Sequence, residues 1–160
     1  MPTLRTQIEI NAPRAVVWAT LTQKHEWRRW NTFLFDNDPA LPLRQGHEIF
    51  LSVRRLEDDE PTDFEPLITL VQSPVCLRWV AKMPGFKSEH SFELQDLSPT
   101  RTLYTHQERF RGVLSTVFLP FIRQDEKQGM KRMARQLKRF IEHRQYRDYR
   151  REKREERRPW

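Results

Sequence analysis

The sequence predicts an α+β domain in which a curved antiparallel sheet wraps a long C-terminal helix. Three observations carry this. One strand and two short helical stretches come first. Strand-like runs joined by short turns follow. The hydrophobic period then lengthens to that of a helix for the rest of the chain. Short sequential links favour antiparallel pairing, because parallel strands need long crossovers.

Thr3–Ile10 alternates, with Leu4, Thr6, Ile8 and Ile10 on one face and Arg5, Gln7 and Glu9 on the other. Asn11-Ala12-Pro13 reads as a helix start, with Asn11 or Ala12 at the cap and Pro13 in the first turn. Val16, Val17, Ala19, Thr20 and Leu21 carry the first short helix, and Gln23–Trp30 the second. Asp36–Gly46 has loop chemistry. The expected strands are His47–Arg54, Asp63–Val71, Val75–Lys82, Phe86–Leu94 and Thr100–Phe110. Pro66 hints at an edge or bulge in the second of these. Met130, Met133, Leu137, Phe140 and Ile141 share one helical face, opposite Lys131, Arg132, Arg135, Lys138 and Arg139. Pro120 is expected to begin or kink this helix, and Gly129 interrupts it.

The chain of 160 residues suits one domain, taken as residues 1–143, followed by a basic helix extension or tail over 144–160. The net charge of +7 is uneven: the 43 residues from Phe118 onward carry 15 Lys and Arg against 7 Asp and Glu. In the tail, Glu152, Glu155 and Glu156 break up the positive run, which favours a solvated helix over a phosphate-binding arm. Contact with an anionic membrane or phosphate through this segment remains an alternative. The sequence shows no specific nucleic-acid motif. A single cysteine, Cys76, excludes an internal disulfide framework and reads as a passive strand residue. No apolar run approaches a membrane span, and the expected location is cytoplasmic. Glycine-rich nucleotide loops, metal-spaced Cys/His sets and nucleophile elbows are missing, so neither a cofactor nor a metal is expected.

Several stretches together resemble the START-like superfamily (SRPBCC), in its polyketide cyclase/dehydrase and lipid-transport branch. They are Ile8-Glu9-Ile10-Asn11-Ala12-Pro13, Val16-Val17-Trp18, Trp30-Asn31, Leu77-Arg78-Trp79, Glu89-His90-Ser91-Phe92, His106–Gly112 and Gly129–Met133. The resemblance runs from about Thr3 to His143 and implies a helix-grip fold with a hydrophobic cavity. It implies no particular reaction, since members include carriers, sensors, cyclases and chaperone regulators. The family's cavity mouth tends to lie near Trp30, which the resemblance makes a gate beside Phe33 and Phe35. The plain alternative is a Trp that seals the core.

Alternation places Phe86, Ser88, His90, Phe92 and Leu94 on one face of their strand, and Thr102, Tyr104, His106, Glu108 and Phe110 on one face of the next. Leu77, Trp79 and Ala81, with Ile49, Leu51 and Val53, form the inward sets of two others. The candidate ligand wall is Trp30, Phe33, Leu51, Leu77, Trp79, Phe86, Phe92, Tyr104, Met130, Met133 and Leu137, with polar groups His90, His106 and Glu108. Each apolar member also reads as plain core. His90, His106 and Glu108 are the candidates for acid/base chemistry, with Glu108 orienting a histidine. The alternative is a satisfied buried hydrogen-bond cluster.

Three functions compete. One is a carrier or sensor of a lipid or polyketide-like metabolite held between sheet and helix. Another is a cofactor-independent cyclase or dehydratase. The last is an interaction protein acting through its basic C-terminal helix.

Overall fold

In the computed structural model, which describes residues 2–159, eight strands and two helices appear in chain order. They are β1 (Thr3–Ile10), α1 (Arg14–Thr22), β2 (Leu34–Asp36), β3 (Leu51–Val53), β4 (Thr62–Phe64), β5 (Leu67–Gln72), β6 (Cys76–Met83), β7 (Phe86–Ser98), β8 (Arg101–Arg111) and α2 (Ser115–Glu156). A 3-10 turn over Lys24–Arg29 follows α1.

Five strands form one antiparallel sheet in the order β1-β8-β7-β6-β5, and β2-β3-β4 form a small second sheet. The three hairpins β5–β6–β7–β8 arise from the short turns that the sequence displays. The pairing of β1 with β8 joins the two ends of the sheet sequence, matching Thr3 to Arg109 and Ile10 to Thr102.

Alternation sorted the inward faces of β6, β7 and β8 as expected. Leu77, Trp79, Ala81, Ser88, His90, Phe92, Leu94, Thr102, Tyr104, His106, Glu108 and Phe110 are all buried. The small sheet required correction. His47–Arg54 is reduced to Leu51–Val53 plus a lone bridge from Glu48 to Leu67. Asp63–Val71 splits into β4 and β5 around Pro66, which lacks the N–H that a continuous ladder needs. The Asp36–Gly46 loop is preceded by a strand, β2, that ends at Asp36. Pro13 caps α1 instead of lying inside it.

Two cationic side chains brace the small sheet. Lys24 Nζ donates to Asp36 Oδ1 and to the Asp38 carbonyl, each at 2.8 Å, with Lys24 and Asp36 both buried. On the other side, the Arg132 guanidinium of α2 donates to Thr32 Oγ1 at 3.0 Å and to the carbonyls of Arg55 and Arg54 at 3.0 and 2.8 Å. The chain leaving β3 is thereby tied to the helix.

α2 spans 42 residues and begins at Ser115, ahead of Pro120, which lies within it. Its buried stripe is Leu119, Glu126, Gly129, Met130, Met133, Ala134, Leu137 and Ile141. Beyond that stripe the helix runs on to Glu156 as an exposed segment, with an Arg151–Glu155 pair at 3.5 Å and a Lys153–Glu156 pair at 3.1 Å. This is the solvated-helix geometry expected of the interrupted charge pattern. Among the described residues, no helix is long and apolar enough to cross a membrane.

Two glycines permit close approaches. At Gly112, φ is +113°, and an added Cβ would lie 2.6 Å from the Gly85 carbonyl oxygen, where β8 ends against the β6–β7 turn. At Gly129, an added Cβ would lie 2.4 Å from the Phe33 ring. Gly129→Ala should therefore destabilise the protein although alanine is the better helix former. Overpacking costs about 1–3 kcal/mol against roughly 1 kcal/mol of helix propensity regained. Urea denaturation of Gly129→Ala, and of the Phe33→Leu/Gly129→Ala double variant, checks this. The double variant should recover part of the loss if the Phe33 ring is the obstacle.

Candidate functional site

β7 and β8 pair so that His90 lies directly opposite Glu108, and Phe92 opposite His106. All four side chains point to the buried face, so a two-residue step along each strand sets three rings and one carboxyl in one patch. His90 Nδ1 lies 2.9 Å from His106 Nε2, and His90 Nε2 lies 3.1 Å from Glu108 Oε1. The three form a chain, His106–His90–Glu108. With His90 Nε2 donating to Glu108, His90 Nδ1 accepts from His106 Nε2–H, which leaves the buried His106 Nδ1 without a partner.

The helix adds the fourth member. Glu126 enters from α2, is 2% exposed, and meets the Glu108 carboxyl through a side-chain hydrogen bond. Arg55 Nε donates to Glu126 Oε2 at 2.5 Å. Ser88 also bonds to Glu108, while the buried Glu108 Oε2 has no charged or N–H donor to satisfy it. A proton held on one carboxyl of the pair and donated to the other meets that need.

Burial dominates the electrostatics. It pushes Glu126 up to about 8, reinforced by the neighbouring charge of Glu108 and opposed by Arg55. It pushes Glu108 up to about 7, opposed by its hydrogen bond with Glu126, by Arg55 and by Ser88. It holds His90 down at about 4, and His106 well below the usual imidazole range with help from His90. Two carboxylates facing one guanidinium in a dry site are neutral when they share a single proton.

A cavity of about 20 Å³ lies beside this cluster, walled by Leu34, Val53, Phe64, Ala81 and Met83 and by the polar groups Arg55, Ser88, His90, Glu108 and Glu126. Outside it, a cleft of about 450 Å³ is lined by Glu48, Asp63, Glu65 and Lys82 among others, and also by Phe64 and Met83. Those two side chains bound both spaces.

The sequence-derived candidates divide into two groups. His90, His106 and Glu108 converge, with Trp79 and Phe92 against them: ring centroids are 5.6 Å apart for Trp79–His90 and 4.1 Å for Phe92–His106. Tyr104 packs on Phe92, its hydroxyl unpartnered and its pKa raised by burial. Leu51, Leu77, Met130, Met133 and Leu137 are fully buried in the core. Phe86 sits at the hairpin end, against Phe118 of α2. Of the two readings of Trp30, gate or core seal, its geometry fits the seal: Trp30 is buried and stacks on Phe140, and Phe33 packs beneath Gly129. Phe35 lies under the Arg54 guanidinium. Around Met130, Met133 and Leu137 of the expected ligand wall the space between sheet and helix is filled. The void lies where the small sheet, β6–β8 and Glu126 of α2 meet. Cys76 is buried with its thiol pushed up by desolvation, as suits a passive residue.

Sequence reasoning missed Glu126 and Arg55. Glu126 left a signal, since it falls four and seven residues before Met130 and Met133 on the apolar stripe. Arg55 left none.

The family model for polyketide cyclase/dehydrase and lipid transport matches residues 1–142. The chain belongs to this family. Solved structures with the same fold include a Nitrosomonas europaea protein with 18% identity and TM-score 0.69, covering 90% of this chain and 96% of that one. A START superfamily protein from Mycobacterium smegmatis shares 15% identity at TM-score 0.68, with coverages of 88% and 97%. Norcoclaurine synthase from Thalictrum flavum, solved with a transition-state analogue, shares 11% at TM-score 0.65, with coverages of 90% and 96%. No curated protein matches the sequence. For this polyketide cyclase/dehydrase-family chain, these likenesses establish the helix-grip architecture.

The raised carboxyls fix the sign of one pH effect. Their folded pKa values exceed the unfolded value near 4.5, so their stabilisation is complete below that pH and is lost as pH rises through about 7 to 8. His90 acts oppositely: its contribution is present above 6.5 and lost as pH falls towards about 4. Calorimetry from pH 6.5 to 8.5 should show stability falling by about 2 kcal/mol. Glu126→Gln should flatten that slope.

Proposed function

We propose that the protein binds an apolar small molecule bearing one neutral or cationic hydrogen-bonding group, as a carrier or sensor. The observation that carries this is the desolvated His90–Glu108–Glu126 cluster beside an apolar-walled void. Buried polar groups converging on an apolar wall are the usual make-up of a ligand site. The family's description supports the same class of ligand.

The magnitudes define how such a ligand enters. An interior space of about 20 Å³ is far below the roughly 300 Å³ of a small-molecule pocket. Binding therefore couples to displacement of Phe64 and Met83, merging the void with the outer cleft. The groups at the base are acceptor-rich, so they repel a fatty-acid carboxylate or a phosphate and suit a hydroxyl or amine. Between a lipid and a polyketide-like metabolite, a neutral polyketide-like molecule is the better match.

A second reading, acid/base catalysis of a cyclisation or dehydration, is favoured by one observation. An imidazole and two carboxyls stand within proton-transfer reach of one another.

Native mass spectrometry of the protein purified from cells, followed by extraction, tests binding. A stoichiometric apolar ligand is expected. Glu108→Leu should weaken binding of that ligand by about tenfold or more, the value of a lost buried hydrogen bond, while Tyr149→Ala leaves it unchanged. A bare protein mass across a panel of hydroxylated and amine-bearing aromatics would overturn the proposal. Turnover of the bound compound would select the enzyme reading.

A further inference from the structure

We propose that His90, Glu108 and Glu126 form a site for one divalent metal ion of the zinc, manganese or ferrous class. One donor atom from each lies within 4.8 Å of the others. His90 Nε2 and Glu108 Oε1 are 3.1 Å apart, the spacing of adjacent ligands around a metal with bonds of about 2.1 Å. Two strands and a helix supply the three donors, so the site is held by the fold and not by one flexible segment.

The outer contacts are those that metal ligands require. Metal binding takes the other tautomer of His90, in which Nδ1–H donates to His106 Nε2 across the same 2.9 Å and the Nε2 lone pair is released for the ion. Arg55 holds Glu126 Oε2, and the metal takes the place of the proton that Glu126 otherwise shares with Glu108. Glu108 Oε2 is buried and unpartnered. The void of about 20 Å³ exceeds the roughly 10–15 Å³ that a water-sized occupant needs, and excludes an organic molecule in the closed form.

An approach path is present too. The outer cleft carries Glu48, Asp63 and Glu65 against Lys82, which concentrates cations at the Phe64–Met83 boundary. One imidazole and two carboxylates select borderline and hard divalent ions over cuprous ion. Three protein donors leave a coordination position for water or for an oxygen of a bound molecule. Two histidines and one glutamate on strands, without tight spacing, are a weak metal signal in a sequence. Glu126 changes the donor set. The metal site uses the same three side chains as the proposed ligand site, but its test with metal ions alone reads out without any organic ligand.

The test uses the full chain stripped with chelator and titrated with Zn²⁺ or Mn²⁺ by calorimetry, with stoichiometry read by native mass spectrometry. One ion per chain is expected, with affinity falling at least tenfold in His90→Gln and in Glu126→Gln, and unchanged in the surface variant His143→Gln. Co²⁺ bound to the wild-type chain should give the intense visible absorption of a low-coordinate nitrogen/oxygen site. No uptake at micromolar ion by natively melting protein would overturn the proposal and leave the carboxyl pair sharing a proton only. Uptake that survives Glu126→Gln, or that His143→Gln abolishes, would overturn it as well. The Co²⁺ spectrum decides if the buried variants fail to fold: a weak, octahedral aquo-type spectrum refutes the site.

Discussion

The meeting of Glu126 with Glu108 across the helix–sheet interface is the contact around which this molecule is organised. Two carboxyls desolvated on opposing walls repel unless something positive lies between or beside them. Arg55 supplies one charge from the far side, and a proton or a metal ion supplies the remainder. Neither wall could shift by a turn or by one strand register without stranding a buried charge, an outcome that costs several kcal/mol.

That constraint explains the bracing around it. Arg55 sits on chain that leaves a strand of only three residues, too short to hold a guanidinium in place by pairing alone. Arg132, two turns along α2 from Glu126, grips the carbonyls of Arg54 and Arg55. Helix and loop thus share a clamp, and the partner of Glu126 is fixed by the same element that carries Glu126. Lys24 and Asp36 do the comparable work at the other edge of the small sheet.

Legibility followed the range of the physics. Period-two alternation is local, so the inward residues of β6, β7 and β8 were readable, and with them His90, His106 and Glu108. The α2 stripe was readable for the same reason. The small sheet was not, because three-residue strands display hardly one period and depend on neighbours distant in sequence. Arg55 was invisible, since an arginine at a strand end is ordinarily solvated. Glu126 was visible in principle: a carboxylate in register with methionines on a buried stripe is costly and invites a partner. Where the void lies was not legible, because its walls come from both sheets and α2, residues far apart in the chain.

The length of α2 has a consequence for the molecule's motion in solution. A helix of 42 residues extends about 63 Å, against a radius of gyration of roughly 15 Å for a body of about 143 residues. Its exposed distal turns form a stiff arm ending in arginines. Such a particle tumbles as a rod-weighted ellipsoid, not as a sphere. Its rotational diffusion is anisotropic, and the arm carries its cationic turns away from the body.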